Sequence, residues 1–390
     1  MTTNSRWKIV RFAIGENLVL YYPVHVFDLS LAIESWLTGD NGMTGRTAQK
    51  SNGARFRFAL IFPLLLLSAE YFGAAAQESI LTYDPSTITA DGPENCAECH
   101  ERTSEAWSES THSRTYEELH LREEAQEILE RLGESGSIRR NSECVQCHYT
   151  RHARESGGRA KTISGISCQR CHGGARDWIV IHQDTEQYPD RMERLMTATE
   201  NGMRSTLKIY DLARNCFQCH TVPRENLVNV GEHPAGSEMF ELVAYLQGEV
   251  RHNFLPTPAE ETNKPASTER KRLLYVIGKS IDLEFSLRSL ALATVDGIFL
   301  ESMMARVQKA YDDLKLMGLN VAEINAMLDT IPKEGDTLKL VKNNKEEYEN
   351  AADTISSLAT FLEEKSVEYG AALAPIDSSL PAEFKGEVYK

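Results

Sequence analysis

Cysteine is absent from this 390-residue sequence outside four short motifs, and histidine is absent after residue 252. Basic charge is also scarce, because 42 lysines and arginines face 57 aspartates and glutamates, leaving a net charge of −15. A protein that binds nucleic acid needs a basic face, so this balance argues against nucleic acid as a partner. The apolar run at residues 58–68 contains Pro63 and is too short to cross a membrane.

The cysteines that are present form four copies of the pentapeptide Cys-x-x-Cys-His. They are Cys96 and Cys99, Cys144 and Cys147, Cys168 and Cys171, and Cys216 and Cys219, followed by His100, His148, His172 and His220. This is the attachment signature of c-type haem, in which two cysteines form thioethers and the histidine binds the iron. Zinc also binds paired cysteines, but it needs no histidine after every second one. The sequence therefore predicts four covalently attached haem c groups with iron.

Residues 43–76 have the parts of a secretory signal peptide. A basic segment at residues 46–57 precedes the apolar run, and Ala74-Ala-Ala76 is a small-residue cleavage site. Because such signals stand at the start of a protein, we expect translation to begin at Met43 and residues 1–42 to be mis-called upstream sequence. An uncleaved membrane anchor is the alternative. Cleavage removes seven positive and five negative charges, which leaves an exported, periplasmic protein with a net charge of −17.

The mature chain divides into a haem-motif domain at residues 77–255 and a haem-free domain at residues 266–390. Prolines at 256, 258 and 265 mark a linker between them. In the first domain, helical periodicity predicts the helix Tyr116–Leu132, which Gly133 ends, and a helix at Glu238–Gln247 that leads to His252. The second domain is predicted as an antiparallel helical bundle, with helices at Glu269–Leu292, Ile298–Met317, Val321–Ile331 and Lys345–Tyr369. The fold class expected is mainly α, with little regular sheet.

The haem-motif domain resembles the tetrahaem cytochrome c-554 family over residues 92–255. The resemblance begins with the first motif, followed by Trp107 and Ser110-Thr-His112. It continues through Gly165-Ile-Ser-Cys168 to Gly173 and includes His182, ten residues past the third motif. It implies a mostly helical core with closely packed haems that form a continuous electron path. The haem-free domain lies outside the resemblance.

The resemblance also implies a set of distal iron ligands, which face the proximal histidines of the pentapeptides. His182 would bind the first haem opposite His100, and His112 the third opposite His172. The fourth haem, held by His220, would take His252, with His233 as the competitor. The second haem, at His148, would have no distal protein ligand and would be the candidate open site. His120 and His152 would be structural or surface residues.

His233 leaves an alternative open, because it could also reach the second haem and close it. With that haem closed, the protein would be a pure electron carrier. With it open, the protein could bind a small molecule at the iron.

Three functions are compatible with these features. The first is a periplasmic electron-transfer protein that passes single electrons between redox-partner proteins, among which a membrane-associated donor or acceptor is one option. The alternative is a multihaem reductase of a small nitrogen oxide, such as nitric oxide, at the open second haem. The third is a gas-binding or assembly module. The C-terminal helices could mediate homo-oligomer or partner contacts, or could cover the haem core.

Overall fold

The computed structural model describes residues 84–236, 240–254, 263–317 and 321–389. The expected upstream sequence at 1–42 and the signal peptide at 43–76 lie outside the described residues. So does most of the expected linker. All described residues belong to one compact unit, Gln77–Lys390.

The haem-motif region consists of short helices joined by long connections. The helices are α1 (Glu94–Ala97), α2 (Glu101–Ser108), α3 (Thr111–Glu118), α4 (Glu123–Arg131), α5 (Ser142–His148), α6 (Cys168–His172), α7 (Ile179–Gln183), α8 (Arg191–Glu200), α9 (Ile209–His220), α10 (Glu225–Asn229) and α11 (Leu242–Leu246). An antiparallel pair of strands, β1 (Thr150–His152) and β2 (Lys161–Ser164), follows the second motif. Short helices suit this region because large apolar cofactors can replace much of the protein core.

The C-terminal region has longer helices. They are α12 (Thr268–Leu290), α13 (Ile298–Leu316), α14 (Ala322–Asp329), α15 (Lys345–Glu364) and α16 (Ser366–Tyr369). Between α14 and α15 lies a two-residue strand pair, β3 (Lys333–Glu334) and β4 (Thr337–Leu338). The expectation of a mainly α protein with little sheet is confirmed. The predicted fourth helix is interrupted at Lys365, where the backbone leaves the helical conformation between α15 and α16.

The predicted helix Tyr116–Leu132 is wrong as a single element. Ser110 caps the start of α3 by accepting a hydrogen bond from the Ser113 amide, so the helix begins earlier than its apolar pattern indicates. Arg122 then adopts an extended conformation, φ −75° and ψ 131°, which separates α3 from α4. Gly133 ends α4 with φ +72°, as expected.

Helix α12 is the centre of the C-terminal region. It packs against α13, α15, α9 and α11, and most of its residues from Leu273 to Leu290 are buried. A helix surrounded in this way is buried on most sides rather than along one stripe, and its buried charged residues are paired, as Glu284 is with Arg288. Gly278 allows close approach of α11, because a Cβ there would lie 2.9 Å from Leu242 Cβ. Helix α12 therefore connects the haem-free helices to the haem-motif region.

Helix α9, which carries the fourth haem motif, shares its core with the C-terminal helices. Ile209, Ala213 and Phe217 on α9 are buried in the same apolar cluster as α12 and α15. The Glu363 carboxylate on α15 accepts hydrogen bonds from the Ile209 and Tyr210 amides, the first two of α9. The C-terminal helices thus form the platform of the fourth motif. The division into two domains stays a prediction.

Among the described helices, none has both the length and the apolar character needed to cross a membrane.

Replacing Glu363 tests how the C-terminal helices support α9. Glu363→Ala leaves two amides of α9 without acceptors and should lower the free energy of unfolding by about 1–2 kcal/mol. Glu363→Gln keeps one acceptor and should cost less. Glu364→Ala, at the exposed neighbouring position, is the control and should change little. Urea unfolding followed by circular dichroism measures the effect, and equal losses in the two alanine variants would contradict the capping role.

Removing residues 255–390 tests whether the fourth motif needs the C-terminal helices in order to fold. The truncation would expose Ile209, Ala213 and Phe217, each at most 3% exposed in the intact protein. Each large apolar side chain contributes about 1.5–3 kcal/mol when buried. We therefore expect a fragment with a reduced haem content and an unfolded fourth motif, measured by intact mass and circular dichroism. A stable fragment with its full haem content would show that the two regions fold independently.

Candidate haem sites

Each Cys-x-x-Cys-His motif lies on a helix or at its end. The second motif is in α5, the third forms α6, and the fourth ends α9. The first begins in α1 and continues into the following turn. Helical geometry brings residues three positions apart onto one face, so both cysteines of a motif point the same way. All eight thiols are free, which leaves them available for thioether bonds.

Each motif histidine faces a second histidine at nearly the same distance. The ring-centroid pairs are His100 and His182 at 6.1 Å, His112 and His220 at 6.2 Å, His148 and His233 at 6.3 Å, and His172 and His252 at 6.0 Å. An imidazole–metal bond is about 2 Å long, and the ring centre lies about 1 Å further back, so two imidazoles on opposite sides of one metal ion have centroids about 6 Å apart. The four separations therefore fit an iron between each pair.

The structure changes two of the expected ligand pairs. His182 faces His100, as the resemblance implies. His112, however, lies beside His220 rather than His172, and His252 lies beside His172 rather than His220. The two distal histidines have exchanged their expected partners. Their assignment as iron ligands stays a prediction.

The contacts around α3 explain the position of His112. Its carbonyl accepts a hydrogen bond from the Ile166 amide, and the Trp107 indole donates to the Ile166 carbonyl at 2.7 Å. Gly165 is needed here because a Cβ would collide with the His112 carbonyl. Thr115 donates to the His148 carbonyl at 2.9 Å. These bonds hold α3 beside the second motif, and from there the His112 ring reaches His220.

The expectation of an open second haem is not what the structure shows. His233 occupies the distal position, 6.3 Å from His148. The His233 amide donates to the Leu227 carbonyl at 3.1 Å, which ties its loop to α10. Arg131 on α4 contacts the preceding loop residues, with Nε 3.4 Å from the Glu232 carboxylate. A haem held by the second motif would therefore have a histidine on both sides.

The two remaining histidines form no ring pair with a motif histidine in the described part of the chain. His152 lies on β1, with Nδ1 2.7 Å from the Ile88 carbonyl, so it links the strand to the segment before the first motif. His120 lies in a single turn of 3₁₀-helix, Leu119–Leu121. The structural or surface roles expected of both histidines stay predictions.

Burial keeps most of the paired histidines neutral. It lowers the pKa of His148 and His172 to about 4 and that of His220 to about 3. Burial likewise lowers the pKa of the distal histidines, His112, His182 and His252. A neutral imidazole has a free lone pair, which is the form that binds a metal ion. These histidines are thus ready to bind iron at neutral pH.

Backbone carbonyls orient three of the rings. Nδ1 of His172 lies 3.0 Å from the Arg204 carbonyl, that of His233 lies 2.8 Å from the Pro234 carbonyl, and that of His252 lies 2.6 Å from the Val250 carbonyl. A ring whose Nδ1–H donates to a carbonyl presents Nε2 to a metal. The surrounding backbone therefore selects the tautomer that iron ligation requires.

A cavity of about 840 Å³ adjoins the second and fourth motifs. Both cysteines and the histidine of each motif line it, as do both distal histidines, His112 and His233. Its other walls include apolar side chains, among them Leu119, Ile138 and Phe240. Haem is a large, flat and mostly apolar group, so the shape and chemistry of this cavity fit it.

The cysteine side chains of different motifs lie close together. Cys96 of the first motif lies close to Cys168 of the third, and Cys147 of the second lies close to Cys219 of the fourth. Cys171 of the third motif lies near Cys216 of the fourth. The motifs are therefore adjacent in the order first, third, fourth, second. In the described residues, no three histidine, cysteine or acidic side chains gather around one point as a zinc ion would require.

The model of the family described as cytochrome c554 and c-prime matches residues 95–173, which contain the first three motifs. No curated protein and no solved structure matches the chain. The expected resemblance is thus confirmed for this segment. A c-type cytochrome binds haem c covalently and takes part in electron transfer. The motifs, their paired histidines and this match together make the chain similar, over residues 95–173, to the c-type cytochromes of that family.

Proposed function

We propose that this protein is a periplasmic tetrahaem cytochrome that passes single electrons between redox partners. The observation that carries the proposal is the set of four histidine pairs, each with ring centroids 6.0–6.3 Å apart. Four motifs with four distal histidines fit four haem c groups with two imidazole ligands each. Haem bound in this way supplies exchange of one electron between the ferric and ferrous states.

The paired histidines decide which chemistry is favoured. Two imidazoles fill both axial positions of an iron, so a small molecule can bind only if one imidazole leaves. His233 gives the second haem this closed arrangement. The proposed reductase of a small nitrogen oxide needs an open position there, and His233 removes the reason for expecting one. Electron transfer without substrate binding is therefore the better-supported function.

The adjacency of the motifs supports a continuous electron path. Sulfur contacts join the first motif to the third and the second to the fourth, and Cys171 and Cys216 bring the third beside the fourth. The first and second motifs are then the two ends of the series. Cys99 of the first motif is exposed to solvent, so this end is accessible to a partner.

The proposed partners are redox proteins, including a membrane-associated donor or acceptor. The predicted charge of −17 favours docking of a basic partner. The C-terminal helices provide a proposed surface for self-association or partner binding, since Leu316 and Val367 are 83% and 94% exposed. Periplasmic location rests on the predicted signal peptide.

Intact mass spectrometry tests the haem count and the export signal together. Protein from a host that attaches c-type haem should begin near Gln77 and carry four haem increments. Cys171→Ala should weaken attachment at the third motif and give a fraction with three. A wild-type protein with fewer than four haems, or one that retains residues 43–76, would contradict the corresponding part of the proposal.

Replacing His233 tests whether it closes the second haem. Carbon monoxide added to the reduced wild-type protein should leave its absorbance spectrum unchanged, because every iron has two histidine ligands. His233→Ala should make about one haem in four bind carbon monoxide and should add a high-spin signal in paramagnetic resonance. His120→Ala, which changes a histidine outside the pairs, is the matched control. Binding of carbon monoxide by the wild type, or its absence in His233→Ala, would refute the closed site.

A further inference from the structure

A second, smaller cavity lies between the end of α8, the loop that follows it and α9. It has a volume of about 200 Å³ and is lined by Thr199, Gly202, Met203, Arg204, Lys208, Asp211, Arg214 and Gln218. Three of these residues are cations and one is acidic. We propose that this cavity binds a small oxyanion of the phosphate or sulfate type.

The cations around the cavity are poorly neutralised by the protein. Arg204 donates from one nitrogen to the Arg170 carbonyl at 2.9 Å and the Cys171 carbonyl at 3.3 Å, which fixes its position without compensating its charge. Neither Arg204 nor Lys208 forms an ion pair with a described residue. Asp211 is the only acidic residue in the lining. The lining therefore has a surplus of positive charge, although the chain as a whole is acidic.

Arg214 adds to this surplus. Its nearest carboxylate, Glu284, is 3.8 Å away and is bound more closely by Arg288, at 2.9 Å. Nε of Arg214 is buried and has no hydrogen-bond partner. A buried donor without an acceptor is costly, by about 1–3 kcal/mol. Arg214 lines the cavity, so an oxyanion bound there would add negative charge near its guanidinium.

The size and geometry of the cavity suit this class of ligand. One water molecule takes about 30 Å³ of liquid volume, so the cavity is large enough for a tetrahedral oxyanion with a few waters. Guanidinium groups bind such anions through paired N–H donors, and a lysine ammonium adds a point charge. Arg204, Lys208 and Arg214 supply both kinds of contact.

The cavity is connected to the third haem site through Arg204. The Arg204 carbonyl lies 3.0 Å from Nδ1 of His172, the proximal histidine of that site. A bound anion adds negative charge beside this histidine and should stabilise the ferric form of its iron. Binding and oxidation state affect one another reciprocally, so the ferric protein should bind the anion more tightly than the ferrous protein.

Calorimetric titration of the oxidised holoprotein with inorganic phosphate, at constant ionic strength, tests the site. The wild type should show saturable binding at one site. Lys208→Gln should weaken it about tenfold, as expected for loss of one charge-assisted contact. Lys345→Gln, an exposed lysine on α15, is the matched control and should bind as the wild type does. Haem absorbance recorded for each variant shows that the haem sites are intact.

A redox titration of the same proteins provides the second measurement. Phosphate should lower the midpoint potential of one haem in the wild type and shift it less in Lys208→Gln. Absence of saturable binding by an intact holoprotein would overturn the proposal, as would equal effects in Lys208→Gln and Lys345→Gln. Neither result would bear on electron transfer, which the haem spectra and the His233 experiment test separately.

Discussion

The rest of the structure depends on a single spacing, the 6 Å between paired imidazole rings. Each pair joins a motif histidine to one that is distant in sequence. Contacts elsewhere in the fold therefore fix the separation of the two rings. Hydrogen bonds from Ile166 and Thr115 place α3, and that from the His233 amide ties its loop to α10. Backbone carbonyls then orient the rings of His172, His233 and His252. Short helices joined by long connections allow each histidine to be placed separately, which is harder in a regular helical bundle.

The C-terminal helices, which contain no haem motif, also help to position a motif histidine. Helix α12 is buried on most sides and contacts α9, whose last residues are the fourth motif. Glu363 caps the start of α9, and the apolar face of α9 is covered by α12 and α15. A region without histidine or cysteine thus supports the helix that ends in His220. The contacts of α12 and α15 cover α9, the helix that carries the fourth motif.

Motif chemistry and helical periodicity predicted much of the structure. Local spacing identified the eight cysteines and four histidines of the motifs. Apolar periodicity predicted the bounds of α12 and α13 to within two residues. Three of the four histidine pairs differ from the expected ones, because the pairing depends on tertiary packing. Helix α10 packs against α13, and the Asn229 side chain accepts a hydrogen bond from the Phe299 amide, which fixes the direction in which the His233 loop leaves. No sequence pattern around His233 predicts the contact between α10 and α13.

The four histidine pairs span overlapping stretches of the chain. Their ends are 100 and 182, 112 and 220, 148 and 233, and 172 and 252, so every stretch contains the segment from His172 to His182. With iron bound in each pair, these stretches become closed loops that cross-link the chain and lower the entropy of its unfolded state. The loops are interleaved, and no haem site can be excised as an independent module. A single cut between residues 172 and 182 would open all four loops at once.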